Sequence, residues 1–163
     1  MFKLFFPGPI KIKNYMTAHR TMTEPFVAVV VTVPDEYFPD EDDICLTAGR
    51  YVCAKLETHL VQHGHTIPDW VQGGCDEDRG VYFESQLNET TFQYTICFFP
   101  GSPGTTQNQM LIQYDAVLPF LKRLFRKPPE LLPDHPIHET IRSFGNLFSD
   151  SRMLTQAQFE REY

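Results

Sequence analysis

From Gly80 to Tyr114 apolar and polar positions alternate with a period of two, the pattern of strands that bury one face. Val81, Phe83, Ser85 and Leu87 fall on one side of the first segment, and Tyr82, Glu84 and Gln86 on the other. Phe92, Tyr94, Ile96 and Phe98 repeat the alternation after Asn88-Glu89-Thr90, a turn that predicts a hairpin. Met110, Ile112 and Tyr114 mark a third strand beyond the Pro/Gly/Ser/Thr loop of 100–107. Pro119 then introduces Phe120 to Lys127, a short basic amphipathic segment that predicts a helix closed by Pro128-Pro129.

Upstream, residues 26–33 form an unbroken, largely β-branched run between Pro25 and Pro34, which predicts a central strand buried on both faces. Residues 1–22 read as an edge strand or an extended arm, with Lys11-Ile12-Lys13 favouring the edge. Acidic residues follow Pro39, with Asp40 as the expected cap, and Ile44, Ala48, Val52, Leu56 and Leu60 recur at helical spacing up to a stop at Gly64. The loop around Pro68, Asp69 and Trp70 and the polar stretch from Gln72 to Arg79 read as connections. Asp134 is the expected cap of a helix carrying Ile137, Ile141, Phe144 and Phe148 on one face, and Thr155 with Gln158 fits a capping box. The fold class is therefore α+β: an antiparallel meander packed by one long and one or two shorter helices, a single domain over 1–163.

Composition narrows the function classes. The 163 residues are 42% hydrophobic and 13% aromatic, enough for one core without disulfide or metal staples. A formal net charge of -7 opposes binding to nucleic acid and suits a basic partner or simple solubility. Pro7 and Pro9 interrupt the apolar start, and no stretch reaches the ~20 apolar residues of a membrane span, so a cytoplasmic protein without membrane contact is expected. The four cysteines lack CxxC spacing and are expected reduced, with Cys75 beside Gly73 and Gly74 the most exposed.

Candidate chemistry is sparse. His59, His63 and His65 are the one cluster with metal-like spacing, but the position after His59 is Leu60 and not the glutamate of an HExxH motif. A metal-dependent hydrolase using these three histidines and an acidic residue is the alternative reading; no cofactor is expected otherwise. His135 and His138 read as capping and surface residues. Asp76, Glu77, Asp78 and Glu84 form an acidic group that reads as a solvated face or a docking site. Trp70 beside Asp69 would suit a binding hot spot if exposed. Nucleophile-elbow, phosphate-loop, dinucleotide and EF-hand motifs are absent from the sequence.

The segments Asp78-Arg79-Gly80-Val81-Tyr82-Phe83-Glu84, Tyr94-Thr95-Ile96-Cys97-Phe98, Leu111-Ile112-Gln113-Tyr114 and Leu121-Lys122-Arg123-Leu124-Phe125 occur in that order. Together they resemble small bacterial immunity-type proteins encoded beside secreted antibacterial toxins, over roughly residues 40–160. The resemblance implies a non-enzymatic inhibitor that occludes a toxin's active site or holds it distorted. Charge and expected exposure give Asp69, Trp70, Asp76, Glu77, Asp78 and Glu84 as the partner-binding set, facing a cognate, basic toxin. A homo-oligomeric structural or adaptor domain, a homodimer being one form, is the other alternative.

Overall fold

Phe26–Thr32 forms strand β1, and its Ala28, Val29, Val30 and Val31 are all buried, so both faces of the strand are covered. The computed structural model describes residues 24–38, 44–77, 80–99, 108–118 and 126–163. Within them a six-stranded antiparallel sheet carries three helices, an α+β fold. After β1 come helix α1 (Ile44–Gln62), strands β2 (Cys75–Glu77), β3 (Gly80–Leu87), β4 (Thr90–Phe98) and β5 (Gln109–Val117), helix α2 (Pro136–Gly145), strand β6 (Ser151–Thr155) and helix α3 (Gln156–Glu162). The spatial order is β2-β3-β4-β5-β1-β6. The meander from β2 to β5 is thus extended by β1 and finished by β6.

Register assigns each side chain to a face. Val81 stands opposite Ile96, Phe83 opposite Tyr94 and Ser85 opposite Phe92, while Ile96 pairs with Ile112, which pairs with Val29. These residues share one face with Ala48, Val52, Leu56 and Leu60 of α1 and with Ile137, Ile141 and Phe144 of α2, forming the main core. The every-fourth-residue recurrence at α1 is a response to that sheet face, because burial of an amphipathic stripe rather than propensity holds a helix. On the opposite face, Ala28, Val30, Cys97, Phe99, Leu111 and Leu154 make a second cluster against which Phe159 of α3 packs.

Turns follow local chemistry. Leu87 pairs with Thr90, leaving a two-residue hairpin in which Asn88 takes φ of 54°, a left-handed conformation that asparagine tolerates. Gly64, at φ of 84°, ends α1 where a side chain would be strained. Thr155 and Gln158 make the reciprocal capping box of α3.

Three expectations need correction. The cap of α2 is His135, whose Nδ1 accepts from the Ile137 amide at 3.2 Å, and not Asp134. Within the stretch read as a connection, Cys75–Glu77 pairs with Gly80–Tyr82 as edge strand β2. Ser151–Thr155, of which only Thr155 has an assigned role as a helix cap, is β6: β1 has a second edge of backbone groups, and this segment satisfies them. The amino-terminal arm, the Asp40 cap and the basic segment 120–125 lie outside the described residues. Among the described residues no helix is long and apolar enough to cross a membrane.

Leu56 is fully buried where α1 meets the sheet. Leu56→Ala is expected to lower unfolding stability by about 2–5 kcal/mol, read from the urea midpoint at unchanged slope.

Candidate functional site

Trp70 is held outward by the turn that carries it. The 3-10 turn Asp69–Val71 buries Val71 in the main core, leaving the indole of Trp70 62% exposed. Gly73 and Gly74 follow at φ of 75° and 74°, a left-handed pair that bends the chain from the turn into β2. Two side chains of α1 fasten this bend. Arg50 donates to the Gly73 carbonyl at 3.1 Å and to the Asp76 carboxylate at 2.6 Å, and Glu57 accepts from the Gly73 amide at 3.2 Å. The Arg50–Asp76 pair is about half exposed and contributes ~0–1 kcal/mol; its effect is on geometry.

The Trp70 ring stacks on Tyr82 of β3 with centroids 6.4 Å apart and 26° between planes. Tyr82 in turn donates its hydroxyl hydrogen to Glu84 on the same face. The face they occupy, opposite the main core, is exposed or half-exposed across the middle of the sheet. Two cross-strand rows cover it: Tyr82–Thr95–Gln113 and Glu84–Gln93–Asp115. With strands ~4.8 Å apart, Glu84 and Asp115 lie ~10 Å apart on the backbone. None of these six side chains is basic. The result is a broad polar surface with carboxylates in one row and an aromatic step at its edge.

The expected contact residues therefore separate. Asp69, Trp70 and Glu84 are brought to one region, with Asp69 accepting from Gln72 at 3.1 Å. Asp76 pairs in register with Val81 and turns to the helix side, where Arg50 holds it. The backbone of Glu77 pairs with Gly80, and Asp78 lies outside the described residues. Tyr82, Gln93, Gln113 and Asp115 were not singled out from the sequence. The signal was present in the polar half of the period-two pattern, but it gained meaning only from strand order.

The histidines are engaged in packing. His59 Nε2 lies 3.1 Å from the Thr140 carbonyl and 3.0 Å from the Ser143 hydroxyl, bridging α1 to α2. His63 Nδ1–H donates to the His59 carbonyl at 2.8 Å. His65 is 3% exposed, its Nδ1 2.9 Å from the Ser85 hydroxyl, which lies 3.0 Å from Tyr94 Oη. Burial pushes His65 down to about 4 and also lowers His59. Among the described residues no group of three histidine, cysteine or carboxylate side chains is arranged to hold a metal ion. His138 is buried rather than at the surface, with Nε2–H donating to the Leu132 carbonyl at 3.0 Å and Nδ1 accepting from Tyr114 at 2.7 Å. An open groove of about 550 Å³ along α1, lined by Tyr51, Lys55, Thr58, His59 and Leu147, brings no acid–base pair together.

Cys53 is fully buried, and its thiol is pushed up to about 12 by desolvation, with Glu57 adding to the shift. Cys75, with its Sγ 3.8 Å from the Trp70 carbonyl, is half-buried. Comparison with known proteins finds no matching family model, no matching curated protein and no matching solved structure.

Cys75 should therefore react with a thiol-specific disulfide reagent in the native state before Cys53 does, which peptide mapping of the labelled protein would check.

Proposed function

We propose that this protein is a non-enzymatic recognition module, and in its most concrete form an immunity-type inhibitor that binds a cognate basic toxin through the open sheet face. The single observation that carries the reading is the exposed Trp70 stacked on Tyr82. A large aromatic side chain in water is unfavourable for a free monomer, whereas a rigid one beside carboxylates is well suited to anchor a partner. The tether from Arg50 and Glu57 supports this reading, because a pre-ordered anchor loses less conformational freedom on binding.

Charge favours a cationic partner. Glu84 and Asp115 stand in one row, Asp69 lies by the tryptophan, and the chain as a whole carries -7. Such a surface raises the encounter rate with a basic protein and weakens with added salt. The polar, exposed character of the face suits occlusion of a larger surface more than enclosure of a small substrate.

The test begins with the tagged chain used to capture a stoichiometric partner from its native host at low and moderate salt, followed by binding of the purified pair. Trp70→Ala is expected to weaken that binding by ~2 kcal/mol or more, about 30-fold, with folding stability altered by less than ~1 kcal/mol. Glu84→Lys combined with Asp115→Lys should slow association and flatten its salt dependence. Unchanged affinity in both variants would remove this face from the interaction.

A further inference from the structure

Three buried histidines join elements that are distant in sequence, and each joins a different pair. His59 links α1 to the Thr140 carbonyl and Ser143 hydroxyl of α2. His138 links α2 to Tyr114 of β5 and to the Leu132 carbonyl. His65, just beyond α1, links to Ser85 of β3, and the same backbone corner is pinned by the reciprocal Thr66–Gln86 amide bonds at 2.8 Å. Together they span the contact between helices α1 and α2 and the contact of both with the sheet.

We propose that His59, His65 and His138 form an acid-operated latch: as neutral rings they fasten the end of α1 and all of α2 to the sheet, and proton uptake releases this helical layer while the strands remain paired.

At His138 the hydrogen bonds require the neutral ring. Because the Leu132 carbonyl can only accept, His138 Nε2 carries the proton and Nδ1 is the acceptor for the Tyr114 hydroxyl. A second proton at Nδ1 would meet that hydroxyl head-on unless it turned away. His65 has no partner for Nε2 among the described residues, so a proton there would place a buried N–H⁺ without an acceptor. His59 lies ring to ring with His63, centroids 4.2 Å apart, so charging one opposes charging the other.

Among the described residues no carboxylate acts on these rings to compensate a positive charge. His65 is faced by Ser85 and Tyr94 as well as the Phe92 ring, with His59 and His63 from α1 acting on it. The groups acting on His59 are His63, Thr140 and Ser143, with the Phe144 ring alongside. His138 meets Tyr114 of β5, Phe26 of β1, His135 and Arg142, and Arg142 is itself engaged with Glu139. Desolvation comes first for each ring, and the titratable neighbours His59, His63, His135 and Arg142 add to it, together outweighing the Thr140 and Leu132 carbonyls, which favour the charged form of His59 and His138.

The sign follows from linkage. These rings titrate below the ordinary imidazole value of ~6.5 while packed and return to it when released, so the released state binds more protons. Attachment of the layer is complete above that value and weakens as pH falls through it towards about 4, the packed value of His65. Each ring that must take a proton multiplies the opening constant by up to ~10 per pH unit in this interval.

Hydrogen exchange of the full chain, corrected for intrinsic rates, tests the latch between pH 7.5 and 4.5 together with the histidine ring NMR titrations. Amides of 57–66 and 137–147 are expected to lose at least tenfold more protection than those of β3, β4 and β5, in step with ring protonation. Uniform loss across helices and strands, or ring titration near 6.5 with protection unchanged, would overturn the proposal. His138→Gln keeps an amide donor and acceptor, and His65→Leu removes the unpartnered nitrogen. Each should reduce the steepness of opening with pH by about one proton, and unchanged steepness in both counts against the latch. Should either variant fail to fold, the exchange and titration profile of the unaltered chain decides alone.

Discussion

The double-sided burial of β1 is the constraint from which the rest of the structure follows. Ala28 and Val30 point one way, Val29 and Val31 the other, and neither pair reaches water. Each face therefore needs a cover and each edge a partner strand. The main core with α1 and α2 covers one face and α3 covers the other, while β5 and β6 satisfy the two edges. The seven-residue α3 packs through Phe159 on a cluster that reaches from Leu154 of β6 across β1 to Leu111 of β5 and Cys97 of β4. Among the described residues, the middle of the outer face of β3, β4 and β5 carries polar side chains that are exposed or half-exposed, bordered at Asp115 by the segment 127–131.

The core also carries polar threads that a purely apolar interior would lack. Ser85 and Tyr94 are fully buried, yet their hydroxyls are joined to each other and to His65. Desolvation raises both Tyr94 and Tyr114 well above the ordinary phenol value, keeping them as neutral hydroxyls throughout the working range. Satisfied groups of this kind specify how helix and sheet register, since a slip of one residue would orphan every one of them.

Much of this architecture was legible in the chain. The run Val27 to Val31 announces a strand without a wet face, and the alternation through Phe83, Tyr94 and Ile112 places one strand after another. The edges were harder. Cys75-Asp76-Glu77 and Ser151-Arg152-Met153-Leu154-Thr155 bury too little apolar surface to show a period, and they are strands because neighbouring backbones demand partners. Of the site, Trp70, Asp69 and Glu84 could be picked out as residues, but not their adjacency to Asp115, which depends on β4 lying between β3 and β5. The reading of His138 as a surface residue failed because an imidazole on an amphipathic helix looks alike whether it faces water or a tyrosine hydroxyl.

The outward placement of Trp70 has a consequence for how this molecule can be observed. Its sole indole sits on a surface turn, 62% exposed and stacked on Tyr82, so intrinsic tryptophan emission reports on that turn and on whatever docks there. The interior's optical signature belongs instead to Tyr94 and Tyr114, which lie opposite each other on β4 and β5 at the centre of the sheet. The indole thus reads the surface turn, while the buried phenols of Tyr94 and Tyr114 read the core.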